Sequence, residues 1–105
     1  MKIVELDRGG LRQVNVVGEL VDIGEVRTVN LRAGGQSRVA DAVLQDDSGA
    51  VDLTLWDNQV DEFSVGDKVQ IQNGYTSEFR GRVKLNVGRY GKITKITDDK
   101  ITDTM

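Results

Sequence analysis

The chain has 105 residues, enough for one hydrophobic core but not two, and its 14 basic and 17 acidic side chains leave a net charge of −3. It contains no histidine and no cysteine, which excludes disulfides, thiolate nucleophiles and the usual zinc sites and removes the commonest general base. No enzymatic activity, cofactor or metal is therefore expected. No apolar run approaches the roughly 20 residues of a membrane span, and charged residues rather than an apolar signal segment follow Met1, so a cytoplasmic protein with no membrane contact is expected.

Twelve glycines, no proline and short stretches of Val, Ile and Leu give the texture of a β-protein with tight turns. The first predicted strand is long, from about Val14 to Val29. Val14, Val16 and Leu20 share one parity and Val21 and Ile23 the other, which places a bulge near Gly18 to Val21. A turn through Ala33, Gly34 and Gly35 leads to a second strand, Ser37 to Gln45, and Asp46-Asp47-Ser48-Gly49 is a strong turn signal. The third strand, Ala50 to Trp56, is followed by Asp57, a candidate cap for a helical turn over Asn58 to Phe63. Gly66 turns the chain into a fourth strand from Lys68 to about Tyr75. Gly74 and Gly81 then bracket a loop, and a fifth strand runs from near Arg80 to Ile96, bent or interrupted at Gly88 and Gly91.

Five strands with a short helix between the third and fourth is the element order of an all-β OB (oligonucleotide/oligosaccharide-binding) barrel. The main rival, an SH3-like barrel, does not ordinarily place a helix there. One domain is expected over residues 1–97, with a short polar tail over 98–105.

The third strand assigns its own faces. Val51, Leu53 and Leu55 fall on one side and Asp52, Thr54 and Trp56 on the other, so the only tryptophan points away from the core. Two roles fit it: a ring exposed for binding, or a lid folded over the barrel's mouth. Tyr75 and Phe79 are equally open. On a loop, followed by Arg80 and Arg82, they would stack nucleobases beside phosphate-binding guanidiniums; as core residues they would close the barrel's end. Alternation gives Tyr75 the parity of Val69 and Ile71, and only a bulge at Asn73-Gly74 turns it outward.

In the fifth strand Val83, Leu85 and Val87 alternate with Arg82, Lys84 and Asn86. This sets two cations on the outer face, either to track a sugar-phosphate backbone or as edge charges that discourage aggregation. Arg27, Arg32 and Arg38 flank the glycine-containing hairpin between the first two strands, as nucleic-acid contacts or as solvated loop charges. Asp46 and Asp47 lack the ligand set of a calcium loop and are accounted for by their turn, and no phosphate-cradling motif is present.

Charge is segregated along the chain. From Val39 to Asp67 there are eight acidic residues and no basic one; from Tyr75 to Ile96 six basic residues, Arg89 included, face Glu78 alone. Such segregation can leave one positive surface on a protein that is acidic overall.

The string DDSGAVDLTLW (46–56), followed by VGDKVQIQNGYTSEFRGRVKLNVGR (65–89), resembles the single-OB single-stranded-DNA-binding proteins of archaea. It is similar also to their eukaryotic single-strand-sensor relatives and to the DNA-binding domains of the replication protein A large subunit. The resemblance covers about Val14 to Ile96. It implies that Trp56, Tyr75 and Phe79 are a base-stacking platform, that Arg80 contacts the strand, and that Arg82 and Lys84 assist it. It also implies the bulge that turns Tyr75 outward. Where the eukaryotic sensors place a further aromatic, this chain has Asn86. The expected function is sequence-tolerant binding of single-stranded DNA in replication and repair, at the nucleoid, with single-stranded RNA as a second ligand and replication or repair proteins as partners. The alternative is an OB surface that grips a protein partner in such an assembly.

Overall fold

The computed structural model describes residues 1–88 and 90–96; Arg89 and the polar tail expected over 98–105 lie outside the described residues. Seven strands are present among them: β1 (Val14–Ile23), β2 (Arg27–Asn30), β3 (Gln36–Gln45), β4 (Ala50–Trp56), β5 (Lys68–Phe79), β6 (Arg82–Asn86) and β7 (Lys92–Ile96). A short helix, α1 (Asn58–Glu62), joins β4 to β5, and a 3-10 turn covers Ile3–Glu5.

Hydrogen-bonded pairing runs from β1 to β3, β4, β6 and β5, and β5 pairs again with β1, so five strands close into a ring. The β4–β6 pairing is parallel and the others in the ring are antiparallel. β2 extends the sheet from β3, and β7 extends it from β5. The side chains inside are those alternation selects: Val14, Val16, Leu20, Leu44, Leu53, Leu55, Val69, Ile71 and Leu85 are all essentially fully buried. Ile3, Leu6 and Phe63 complete the cluster. Burying each such aliphatic side chain contributes roughly 1.5–3 kcal/mol.

Two boundaries differ from the sequence expectation. The long first strand is two, because the chain leaves β1 at Gly24, whose N–H donates to the Asp41 carbonyl at 2.8 Å, and β2 then pairs only with β3. The fifth strand is interrupted where expected, into β6 before Gly88 and β7 after Gly91. The expected loop after Gly74 is strand: β5 continues to Phe79 and turns back through Arg80 and Gly81 alone. The bulge expected near Gly18 to Val21 is present as a register shift between Leu20 and Asp22. It lets β1 pair with β5 through its first half and with β3 through its second.

The β3–β4 turn is saturated with hydrogen bonds. Asp46 Oδ1 accepts from the Ser48 N–H at 2.7 Å, the Ser48 hydroxyl at 2.6 Å and the Gly49 N–H at 3.1 Å, while Oδ2 accepts from the Ile3 N–H at 3.0 Å. Desolvation pushes the Asp46 carboxyl up, but these donors outweigh it and hold the group at about 2. The turn therefore also anchors the N-terminal segment.

Candidate nucleic-acid interface

Strand register alone decides which outward side chains are neighbours, since paired residues share a face. Trp56 and Thr54 lie two apart on β4 and so share the outer face. Thr54 pairs with Asn86 of β6, and Asn86 with Tyr75 of β5. One row further, Asp52 pairs with Lys84 and Lys84 with Ser77; the last row is Arg82 with Phe79. Trp56, Tyr75, Phe79, Arg82 and Lys84 are thereby brought onto one face. The rings are 40%, 44% and 73% exposed. Ser77, Phe79, Asp41, Asp52, Arg82 and Lys84 line a groove of about 590 Å³ on that face.

Each ring has a local cause. In β5 the buried positions are Val69 and Ile71, then Gly74 and Thr76, so the inward parity switches across Gln72-Asn73. Between Val16 and Val14 β1 spans two residues while β5 spans three, Ile71 to Gly74, which is the bulge Tyr75 requires. Asn73 takes the left-handed conformation (φ 55°), which asparagine tolerates, and its N–H donates to Asn15 Oδ1 at 3.0 Å. Phe79 ends β5 just before a two-residue hairpin turn in which Arg80 (φ 53°) and Gly81 (φ 78°) both have positive φ, as a type I′ turn demands. The Arg80 guanidinium lies 5.1 Å from the Phe79 ring centroid. Trp56 stands at the end of β4, where its N–H donates to Gln59 Oε1 at 3.0 Å. Asp57 does not cap α1 as expected: its carboxylate accepts from the Arg38 N–H and the Ser37 hydroxyl of β3.

Several of the cations on this face are held in ion pairs. Arg82 is bound to Asp52 through both Nε and Nη2, which raises its pKa. Asp41 accepts from Arg27 at 3.1 Å and from Lys84 at 3.3 Å. Partial burial pushes Asp41 up, but these two cations outweigh it and hold it below the usual carboxylate range. Arg38 is on the opposite parity from Trp56's partner Val39 and reaches α1, where Asp61 holds it at 2.6 Å; the structure does not bring it to this face. Arg80 and Arg32 carry no ion pair among the described residues. The acidic and basic segments are distant in sequence, yet the parallel β4–β6 pairing sets Asp52 beside Lys84.

Residues 11–95 match the family model of Ssb-like single-stranded DNA binding proteins with an OB fold. The chain belongs to this OB-fold family. It is 32% identical over 89 residues to the single-stranded DNA binding protein Ssb of Saccharolobus solfataricus, a match covering 85% of this chain and 60% of that one. It is 31% identical over 98 residues to replication factor A of Methanothermobacter thermautotrophicus, covering 88% of this chain and 12% of the relative. The OB fold here thus spans less than two thirds of either relative's length. The second OB-fold domain of replication protein A from Methanococcus maripaludis superposes with a TM-score of 0.74 at 23% identity, covering 93% of this chain and 95% of that domain. The resemblance seen in the sequence is therefore a family membership. Among the described residues no helix is long and apolar enough to cross a membrane.

Three features of the structure escape a reading of the sequence. Asp41 and Asp52 pair with Arg27, Lys84 and Arg82, which only the strand order reveals. Thr54, between Asp41 and Asn86, is buried on this outer face with its hydroxyl unpartnered among the described groups. Tyr90, the most exposed large apolar side chain described, lies beyond β6 between Gly88 and Gly91; an aromatic set among glycines was its only trace in the sequence.

Proposed function

We propose that the chain binds single-stranded DNA without strong sequence preference, stacking bases on Trp56, Tyr75 and Phe79, in replication and repair at the nucleoid. The observation that carries this is the cross-strand register that sets three exposed rings on one sheet face. Among the described residues, three of the four non-glycine residues with positive φ, Asp57, Asn73 and Arg80, lie within two positions of those rings. Non-glycine residues in such conformations cluster at binding sites, where the surrounding structure holds them. The names of the relatives, a single-stranded DNA binding protein and a replication factor, support the same reading.

Stacking supplies most of the affinity in this proposal, because Arg82, Lys84 and Arg27 must exchange a carboxylate for a phosphate before they contribute. Arg80, with no carboxylate to displace among the described residues, is the first phosphate contact, and Arg38 is left to its pairing with Asp61. Binding therefore weakens only shallowly with salt. Single-stranded RNA binds by the same rings, since stacking does not read a 2′-hydroxyl. Trp56, the only tryptophan, reports directly: its fluorescence is quenched on titration with oligo-dT and saturates at a few nucleotides per protein. Phe79→Ala and Tyr75→Ala each weaken the titration by about tenfold. An unchanged spectrum, with no gel shift at low salt, overturns the proposal and leaves a protein-binding OB surface as the reading.

A further inference from the structure

A second cleft, of about 580 Å³, opens beside Tyr75 and is bordered by Leu11, Arg12, Gln13, Gly88 and Tyr90. None of the three-ring platform except Tyr75 touches it. Tyr90 is 82% exposed, so its ring gains almost nothing from folding. Its backbone is nevertheless tied: the Asn73 side-chain amide donates to the Tyr90 carbonyl at 3.3 Å. Asn73 is also the bulge residue that turns Tyr75 outward, so one residue positions both tyrosines. Gly88 (φ 75°) lets the chain run against the Tyr75 ring, since a Cβ there would sit 2.7 Å from Cε1.

The segment contributing Leu11 and Arg12 is fixed as well. The Gly10 N–H donates to the Thr76 carbonyl at 2.9 Å, the Thr76 N–H to the Leu11 carbonyl at 2.9 Å, and the Leu11 N–H to the Thr76 hydroxyl at 3.0 Å. Thr76 directly follows Tyr75 in β5. Arg12 is exposed and carries no ion pair among the described residues, unlike Arg82, Lys84 and Arg27 on the platform. A half-open cleft between two tyrosines, with a free guanidinium at its rim and both borders held by hydrogen bonds, has the chemistry to take an aromatic base and its phosphate.

We infer that this cleft is a further nucleotide site, in which one more base of the bound single strand stacks on Tyr90 beside Tyr75 while Arg12 meets its phosphate. The inference rests on the proposed function and extends the platform past Tyr75, away from Phe79.

The test is a Trp56 fluorescence titration with oligo-dT of increasing length, from about 4 nucleotides, the low end of OB-fold site sizes. Wild type, Tyr90→Ala, Tyr90→Phe and Arg12→Ala are compared. In wild type the affinity rises to a last step as the oligomer becomes long enough to reach the cleft. Tyr90→Ala removes that step, weakening the longer oligomers about tenfold and leaving the shortest unchanged, and Tyr90→Phe restores it. Arg12→Ala weakens only the longer oligomers and flattens their salt dependence. Equal affinity of wild type and Tyr90→Ala at every length overturns this inference alone, as does an equal loss at every length, which would mark Tyr90 as a support for Tyr75. Wild type that quenches with no oligomer overturns the stacking platform and this site with it.

Discussion

Two hairpin turns of the same molecule are built on opposite terms. At the β3–β4 turn, Asp46 accepts hydrogen bonds from Ser48, Gly49 and Ile3, which tie the turn to the N-terminal segment. At the β5–β6 turn an arginine occupies a left-handed position that asparagine or glycine would fill with less strain, beside a phenylalanine that is 73% exposed. The first turn is organised for stability. The second gives up stability and holds an aromatic ring and a cation out in solvent. Where a small protein departs from the most stable local solution, the departure marks the surface that meets something else.

That contrast breaks if the two turns exchange phenotypes. The largest effect is expected for Asp46→Ala, which lowers the unfolding free energy by about 2 kcal/mol in denaturant titration and leaves oligo-dT affinity unchanged. Phe79→Ala does the reverse, weakening oligo-dT about tenfold while stability moves by less than about 0.5 kcal/mol. Acid sharpens the first half of the comparison. Asp46 is depressed in the folded state, so its contribution is complete above the ordinary carboxylate value near 3.8 and is lost as pH falls through about 2. The stability of Asp46→Asn should therefore show less dependence on pH in that window, and an identical pH profile for the variant and wild type would refute the assignment.

Arg80→Asn tests both terms in one residue. An Asn-Gly pair suits a type I′ turn, so thermal stability rises by up to about 1 kcal/mol while oligo-dT binding weakens several-fold. The smallest effect is expected from Asp52→Asn, which frees Arg82. It raises affinity at low salt by about threefold and steepens the salt dependence by roughly one phosphate contact. An unaltered slope would show that Arg82 does not reach the strand.

Much of this is legible in the sequence. Strict alternation in Val51, Leu53 and Leu55 bounded β4 and set Trp56 outward, and the parity change along β1 located its bulge. The stretch after Gly74 reads as a loop in the sequence for a specific reason. Its inward positions in β5 are Gly74 and Thr76, neither of them a large apolar residue, and the Thr76 hydroxyl is spent on the Arg8 carbonyl and the Leu11 N–H instead of on packing. Periodicity has nothing to register there. The first strand reads as longer than it is for the opposite reason, because Val26 and Val29 continue an apolar texture although Val26 is exposed. The ion pairs were beyond reach, since they depend on β4 and β6 lying side by side, a neighbour relation that local pattern does not encode.

The bulge at Asn73 carries a consequence for chains of other lengths. Removing one residue between Ile71 and Tyr75 would take out the extra residue of the bulge and leave Tyr75, Ser77 and Phe79 outward on a regular strand, whereas removing two would turn them inward and bring Thr76 and Glu78 out. Whether a relative needs a bulge to own the platform is thus a matter of odd or even spacing in β5. That count can be made from its sequence alone, before asking whether the residues that reach solvent are aromatic.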